Sequence, residues 1–157
     1  SGAGRTPSEA LHFPEMNENF KAYKVAVHQH IPEIEQALNN TWKVQYTPHV
    51  APMNRGIHTT IVLRPTEGFD PADYYGDYAS EPFIRVLGEG AAPEVKHVRG
   101  TNFIDFGWFH DRRTGNLLLL CTIDNLVGGT SGMAVQCMNL MFDVEETTGL
   151  LYGGLAP

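Results

Sequence analysis

The clearest hydrophobic patterning lies in the second half of the chain. "TNFIDFGWFHD" (residues 101–111) and "NLLLLCTID" (116–124) are apolar runs of strand length. Between them "RRTG" (112–115) is polar and ends in glycine, which suits a hairpin. "IHTTIVLRP" (57–65), "WKVQYTPHV" (42–50) and "FIRVL" (83–87) are also strand-like, being rich in β-branched and aromatic residues. "AYKVAVHQH" (22–30) reads as a further, buried strand. Helical signals alternate with these. Thr6-Pro7-Ser8-Glu9 has the form of a helix start, with Thr6 as N-cap, Pro7 in the first turn and Glu9 closing a capping box. Pro32 opens "PEIEQALNN", where Ile34 and Leu38 share a face. "DPADYYGDYASEP" (70–82) predicts a short helix with a proline near each end. "LVGGTSG" (126–132) predicts a flexible turn that leads into the almost wholly apolar helix "MAVQCMNLMF" (133–142). A helix apolar all round must be enclosed, which is a demanding task for one small domain. Neighbouring strands joined by short turns, with helices interleaved, favour an α+β fold.

Composition narrows the function class. The chain has 157 residues, 42% hydrophobic and 18% charged, and is read as one domain over 1–157. Its net charge of −7 offers no global basic field for nucleic acid or an anionic membrane. An anionic ligand would need a few locally placed Arg or His residues. Cys121 and Cys137 sit in apolar contexts and read as small hydrophobes rather than a disulfide framework.

The candidate chemistry begins with "VAVHQHIPEIEQ" (25–36). On a strand, His28 and His30 would project to one side and Gln29 to the other. Three readings are open: metal ligands, polar residues at a wet strand end, or a general acid/base, for which an imidazole is well suited. A metal would need further ligands; His49, His58 and Glu33 are available, but no compact cluster is visible, and no metal is expected. Arg55, in the loop "APMNRG" (51–56), can offer a planar fork to carboxylate or phosphate, against the plain reading of a surface arginine. Arg5 follows the glycine-rich opening "SGAGR" and is similar. "GGTSG" (128–132) puts free N–H groups at a helix start, a weak anion signal whose plain reading is a turn and cap.

Together "SGAGR", "HQHIPEIEQ", "YTPHVAPMNRGI", "DNLVGGTSGMAVQCMNLMF" and "EETTGL" resemble the C-terminal domain of the N-acetyl-gamma-glutamyl-phosphate reductases, in the family's order and over nearly the whole chain. The resemblance implies a fold like the C-terminal domain of glyceraldehyde-3-phosphate and aspartate-semialdehyde dehydrogenases. That fold is a mixed, largely antiparallel sheet with helices packed on one face. The resemblance also implies an NADP-dependent reduction of an acyl phosphate to a semialdehyde in arginine biosynthesis, in a cytoplasmic or organellar enzyme. The family's nucleotide fingerprint and its nucleophilic cysteine, in a Gly-Cys-Tyr context, are not found in these residues. The expected picture is therefore half an enzyme, inert alone, with NADP bound mainly elsewhere.

In that picture His28 matches the catalytic histidine. Arg5, His30, Glu33 and Arg55 are expected at the substrate. Gly128, Gly129 and Gln136 are expected near the nicotinamide end, with the final helix (129–142) packed on the nucleotide domain. The resemblance further implies a homo-oligomer, a dimer or tetramer, with no nucleic-acid or membrane partner. Gln29 departs from the arginine that the resemblance implies between the histidines, which removes a charge from this segment. Two alternatives remain: a lysine-pathway aminoadipyl-phosphate reductase, for which few clustered basic residues speak, and a non-catalytic dimerisation module.

Overall fold

The computed structural model describes Gly2 and residues 5–155. Expected as one domain, these residues divide into two compact units: residues 5–54, and Gly2 with residues 55–155.

The first unit holds a single 3-10 turn (Glu9–Leu11), α1 (Phe13–Met16), β1 (Lys21–Ala22), α2 (His30–Ala37) and β2 (His49–Val50). The helix expected from Thr6 does not form there. Ser8 flanks the 3-10 turn without a side-chain cap, and α1 starts afresh with Pro14 in its first turn. Pro14 has no N–H to donate, so a helix begun at residue 7 could not continue through it. The strand expected over 22–30 is also absent. β1 makes only the antiparallel pairs Lys21↔Val50 and Ala22↔His49. Beyond it, Lys24 (φ 44°) and Ala26 (φ 58°) are left-handed, a conformation no strand can carry. Val25 and Val27 consequently stand exposed instead of lining a core. "WKVQYTPHV" likewise reduces to the two residues of β2.

The second unit is built on a four-stranded sheet in the order β3-β6-β5-β4. β3 (Ile57–Leu63) pairs antiparallel with β6 (Asn116–Ile123), and β6 antiparallel with β5 (Ile104–Asp111). β5 runs parallel to β4 (Ile84–Glu89). This is the mixed, largely antiparallel α+β arrangement expected. The hairpin at 112–115 follows from its residues. The Asp111 carboxylate accepts from Arg113 N–H (3.0 Å) and Thr114 Oγ1 (2.6 Å), while Gly115 takes φ 74°. Trp108, Leu117 and Leu119 form the buried core, with Phe69, Tyr75, Val86 and Phe106 packed against it. Phe69 and Tyr75 come from the segment carrying α3 (Pro71–Tyr75), whose Asp70 side chain caps Ala72 N–H, and which runs on into a 3-10 helix (Gly76–Ser80). Burial of Leu117 and Leu119 contributes about 1.5–3 kcal/mol each.

The connection from β4 to β5 contains α4 (Val95–Val98) and crosses tightly over β5. A Cβ at Gly107 would lie 2.2 Å from the Ala91 carbonyl oxygen. After β6 the chain is already helical: a wide π turn (Val127–Ser131) runs directly into α5 (Gly132–Met141). Its glycines serve close packing rather than flexibility. A Cβ on Gly128 would meet the Asn102 carbonyl oxygen at 3.1 Å, and one on Gly129 would meet Ile123 Cδ1 at 3.1 Å. α5 is not enclosed by the described residues. Met138, Leu140, Met141 and the following Phe142 are at least half exposed.

Candidate functional site

His28 is one of two buried residues of the first unit, beside Pro48. It lies in the turn before α2, and His30 is the first residue of that helix. The two histidines are adjacent, with ring centroids 4.6 Å apart and planes at 68°. Strand alternation is not what brings them together. His28 Nδ1 accepts a hydrogen bond from His30 N–H (3.1 Å), so the side chain caps a helix whose N-cap residue, Gln29, makes no side-chain cap. An acceptor Nδ1 places the proton of the neutral ring on Nε2.

Burial holds the His28 pKa below the ordinary histidine value, assisted by His30 and Lys24 and opposed by Glu33. A charged ring would also acquire a proton at Nδ1, where the helix N–H already points. The geometry therefore keeps a neutral imidazole whose Nε2 can exchange a proton. Tyr23 and Tyr46 meet the ring edge-on at 5.5 and 5.3 Å. His30 and Glu33 are exposed and 3.8 Å apart (Nε2 to Oε2), an ion pair only when His30 is protonated. Gln29 accepts from Lys24 Nζ (2.7 Å), so it holds a cation that an arginine at this position would repel. Arg5 is exposed in the same unit; Ser1, Ala3 and Gly4 of the glycine-rich opening lie outside the described residues.

Arg55 belongs to the second unit and is no free loop arginine. Its Nη2 donates to Asp124 Oδ1 (3.0 Å), and its Nε lies 2.8 Å from Asp124 Oδ2. Only the remaining Nη1 edge of the fork is left for a ligand. Asp124, fully buried, also accepts from the N–H groups of Gly100, Leu126 and Val127. Burial pushes its carboxyl up, but Arg55 and the three N–H donors outweigh burial and hold it below the usual range.

Gly128 and Gln136 line a cleft of about 130 Å³ with Phe83, Ile84, Asn102 and Ile104. Gln136 is engaged at both ends: Asn102 Nδ2 donates to its Oε1 (3.0 Å), and its Nε2 donates to Glu146 Oε1 (2.6 Å). Ligand pockets usually measure roughly 300–1,000 Å³. These residues do not by themselves fit a dinucleotide; the cleft has room for one small end group.

Neither cysteine has the setting of an activated nucleophile. Cys121 is half-buried, and burial, with Asp105 nearby, pushes its thiol up. Cys137 is exposed, contrary to its apolar sequence context. Among the described residues no group of three His, Cys, Asp or Glu side chains is arranged to hold a metal, and no helix is long and apolar enough to cross a membrane. Sequence reasoning missed Asp124, Asn102, Tyr23 and Tyr46. Tyr46 and Asp124 open two of the quoted motifs, "YTPHVAPMNRGI" and "DNLVGGTSGMAVQCMNLMF", but nothing in those strings named their partners, which the fold supplies.

Comparison with known proteins adds to this geometry. The chain is 49% identical over 165 residues to N-acetyl-gamma-glutamyl-phosphate reductase of Desulforudis audaxviator, covering all of this chain and 48% of that protein. It is 50% identical over 159 residues to the enzyme of that name from Citrifermentans bemidjiense, covering 96% of this chain and 46% of the relative. The chain thus spans about half the length of these relatives. Aspartate semialdehyde dehydrogenase II of Vibrio cholerae, in complex with ASA, shares the fold. The TM-score is 0.58 at 19% identity, over 72% of this chain and 35% of that one. Residues 1–125 match the semialdehyde dehydrogenase dimerisation-domain family. The mixed sheet, the His28–His30 pair and this match over most of the length lead to one assignment: the chain belongs to the semialdehyde dehydrogenase dimerisation-domain family.

Proposed function

We propose that these residues form the substrate and interface half of an NADP-dependent N-acetyl-gamma-glutamyl-phosphate reductase of arginine biosynthesis. The reaction would interconvert N-acetylglutamyl 5-phosphate and N-acetylglutamate 5-semialdehyde. The carrying observation is the buried His28, its Nδ1 capping α2 beside His30, in a chain 49% identical to a reductase of that name. His28 would move a proton through Nε2 as the acyl group reacts at a thiol outside these residues. Arg5, His30 and Glu33 would contact the substrate. Arg55 would do so through its outer edge while Asp124 holds the inner one. Gly128, Gly129 and Gln136 would border the nicotinamide end. The reduced cofactor, NADPH, would supply hydride and NADP+ would accept it in the reverse direction; the cofactor would be held mainly by the other half of the enzyme, against which the final helix (129–142) would pack. The half-exposed methionines of α5 support that docking.

The test is reconstitution. The 157-residue chain alone is expected to show no semialdehyde- and phosphate-dependent NADP reduction. Turnover is expected when it is joined to a nucleotide-binding half that carries the thiol. Turnover by the chain alone would overturn the division of labour. Turnover of the joined enzyme with aminoadipate semialdehyde, and not with N-acetylglutamate semialdehyde, would move the assignment to the lysine-pathway reductase.

The same reading makes the sheet a subunit interface. Directly opposed positions Val62, Leu118 and Phe109 share one face of β3, β6 and β5, with Leu120 beside them. Val62 is 59% exposed, and the other three are only partly covered. Val62→Arg is expected to lower the solution mass from oligomer to monomer by light scattering, because a guanidinium would be buried without a partner. An unchanged mass would place the interface elsewhere.

A further inference from the structure

The segment between α2 and β2 has no regular structure, yet one of its side chains reaches His28. Along it, burial alternates: Val44 and Tyr46 are half-buried, while Lys43, Gln45 and Thr47 are exposed. This is the two-residue period of extended backbone, so Val44 and Tyr46 face the same way. Glu35 of α2 fixes the start of the run. Its Oε1 accepts from Val44 N–H (3.1 Å) and its Oε2 from Lys43 Nζ (2.9 Å). The helix that begins at His30 thus also anchors, through Glu35, the strand-like run that returns beneath His28.

We propose that Tyr46, held by Glu35, is a positioning residue for His28: its ring packs edge-on against the imidazole and excludes water from that side. Tyr46 meets His28 at 5.3 Å and 74°, the edge-to-face arrangement that aromatic rings favour. The other groups facing the imidazole are Tyr23 and Lys24 from the preceding turn and His30 and Glu33 from α2. Burial and the neighbouring Tyr23 push the Tyr46 hydroxyl up, so it stays protonated and adds no charge at neutral pH. Removing its ring therefore changes the solvation of His28 and not the charge around it. The functional meaning rests on His28 being the acid/base of the proposed reaction; the test reads the imidazole itself, so the two ideas fail separately.

The experiment is an NMR pH titration of the His28 ring in the 157-residue chain. Tyr46→Phe keeps the ring and is expected to titrate like the wild type. Tyr46→Leu removes it, and the His28 midpoint is expected to rise toward 6.5, the ordinary histidine value. Glu35→Gln is expected to shift it in the same direction by loosening Lys43 and Val44. A folded Tyr46→Leu protein with the wild-type midpoint overturns the proposal, as does a Phe variant that shifts as far as Leu. If Tyr46→Leu fails to fold, the nuclear Overhauser contact between the Tyr46 and His28 rings of the wild type decides: its absence overturns the proposal, and its presence supports it. If His28→Asn leaves the joined reductase fully active, the acid/base reading falls while the titration result stands.

Discussion

Asp124→Ala is expected to destabilise the chain by about 3–5 kcal/mol, the cost of breaking a buried ion pair by deleting one partner. The Arg55–Asp124 pair is largely enclosed: the Arg55 side chain is 23% exposed and that of Asp124 is 0%. Deletion also strands the N–H groups of Gly100, Leu126 and Val127, which lose their acceptor at the end of β6. Urea unfolding checks this: the midpoint should fall with little change in slope. A loss below about 1 kcal/mol would show the network to be peripheral. The pH dependence has a definite sign. The folded-state pKa of Asp124 lies below the ordinary aspartate value of 3.8. Its contribution to stability is therefore fully present above 3.8 and is lost as pH falls through the lower, folded value. The wild type should show this acid loss and the alanine variant should lack it.

His28→Asn should have the largest effect on activity. Under the proposed function, with the chain joined to a nucleotide-binding half, loss of His28 as acid/base is expected to lower kcat by about 10²–10⁴-fold, with KM changed far less. Asparagine is the informative replacement because its side-chain oxygen can still accept the His30 N–H and spare the cap. Burial lowers the His28 pKa, so the acid limb of the kcat/KM profile should fall below 6.5 and vanish in the variant. The folded state prefers the neutral ring, so the His28 contribution to stability is present above 6.5 and lost as pH falls through the folded value. A wild-type rate in the asparagine protein would remove His28 from the chemistry. A raised KM with unchanged kcat would make it a binding residue instead.

What could be read from sequence follows the range of the interactions involved. β5, β6 and their hairpin were legible because strand-length apolar runs meet turn chemistry within four residues, at Asp111, Arg113, Thr114 and Gly115. β3, β4 and the helical start at Pro71 were legible for the same reason. The segment before His28 was misread because valine and tyrosine favour strands only where a partner strand exists. Here the left-handed Lys24 and Ala26 turn the chain away from one. The pairing of His28 with His30 was nevertheless foreseen, since residues this close in sequence meet in a helix-capping turn as well as on a strand.

Local sequence thus determined the β5–β6 hairpin, the α+β class and the adjacency of His28 and His30. Tertiary structure alone decided that Arg55 is clamped on an aspartate 69 residues away and that Tyr46 stands against the imidazole. The physical reason is separation along the chain: propensity, turns and caps act over a few residues, whereas burial and ion pairing depend on which distant segments the fold brings together.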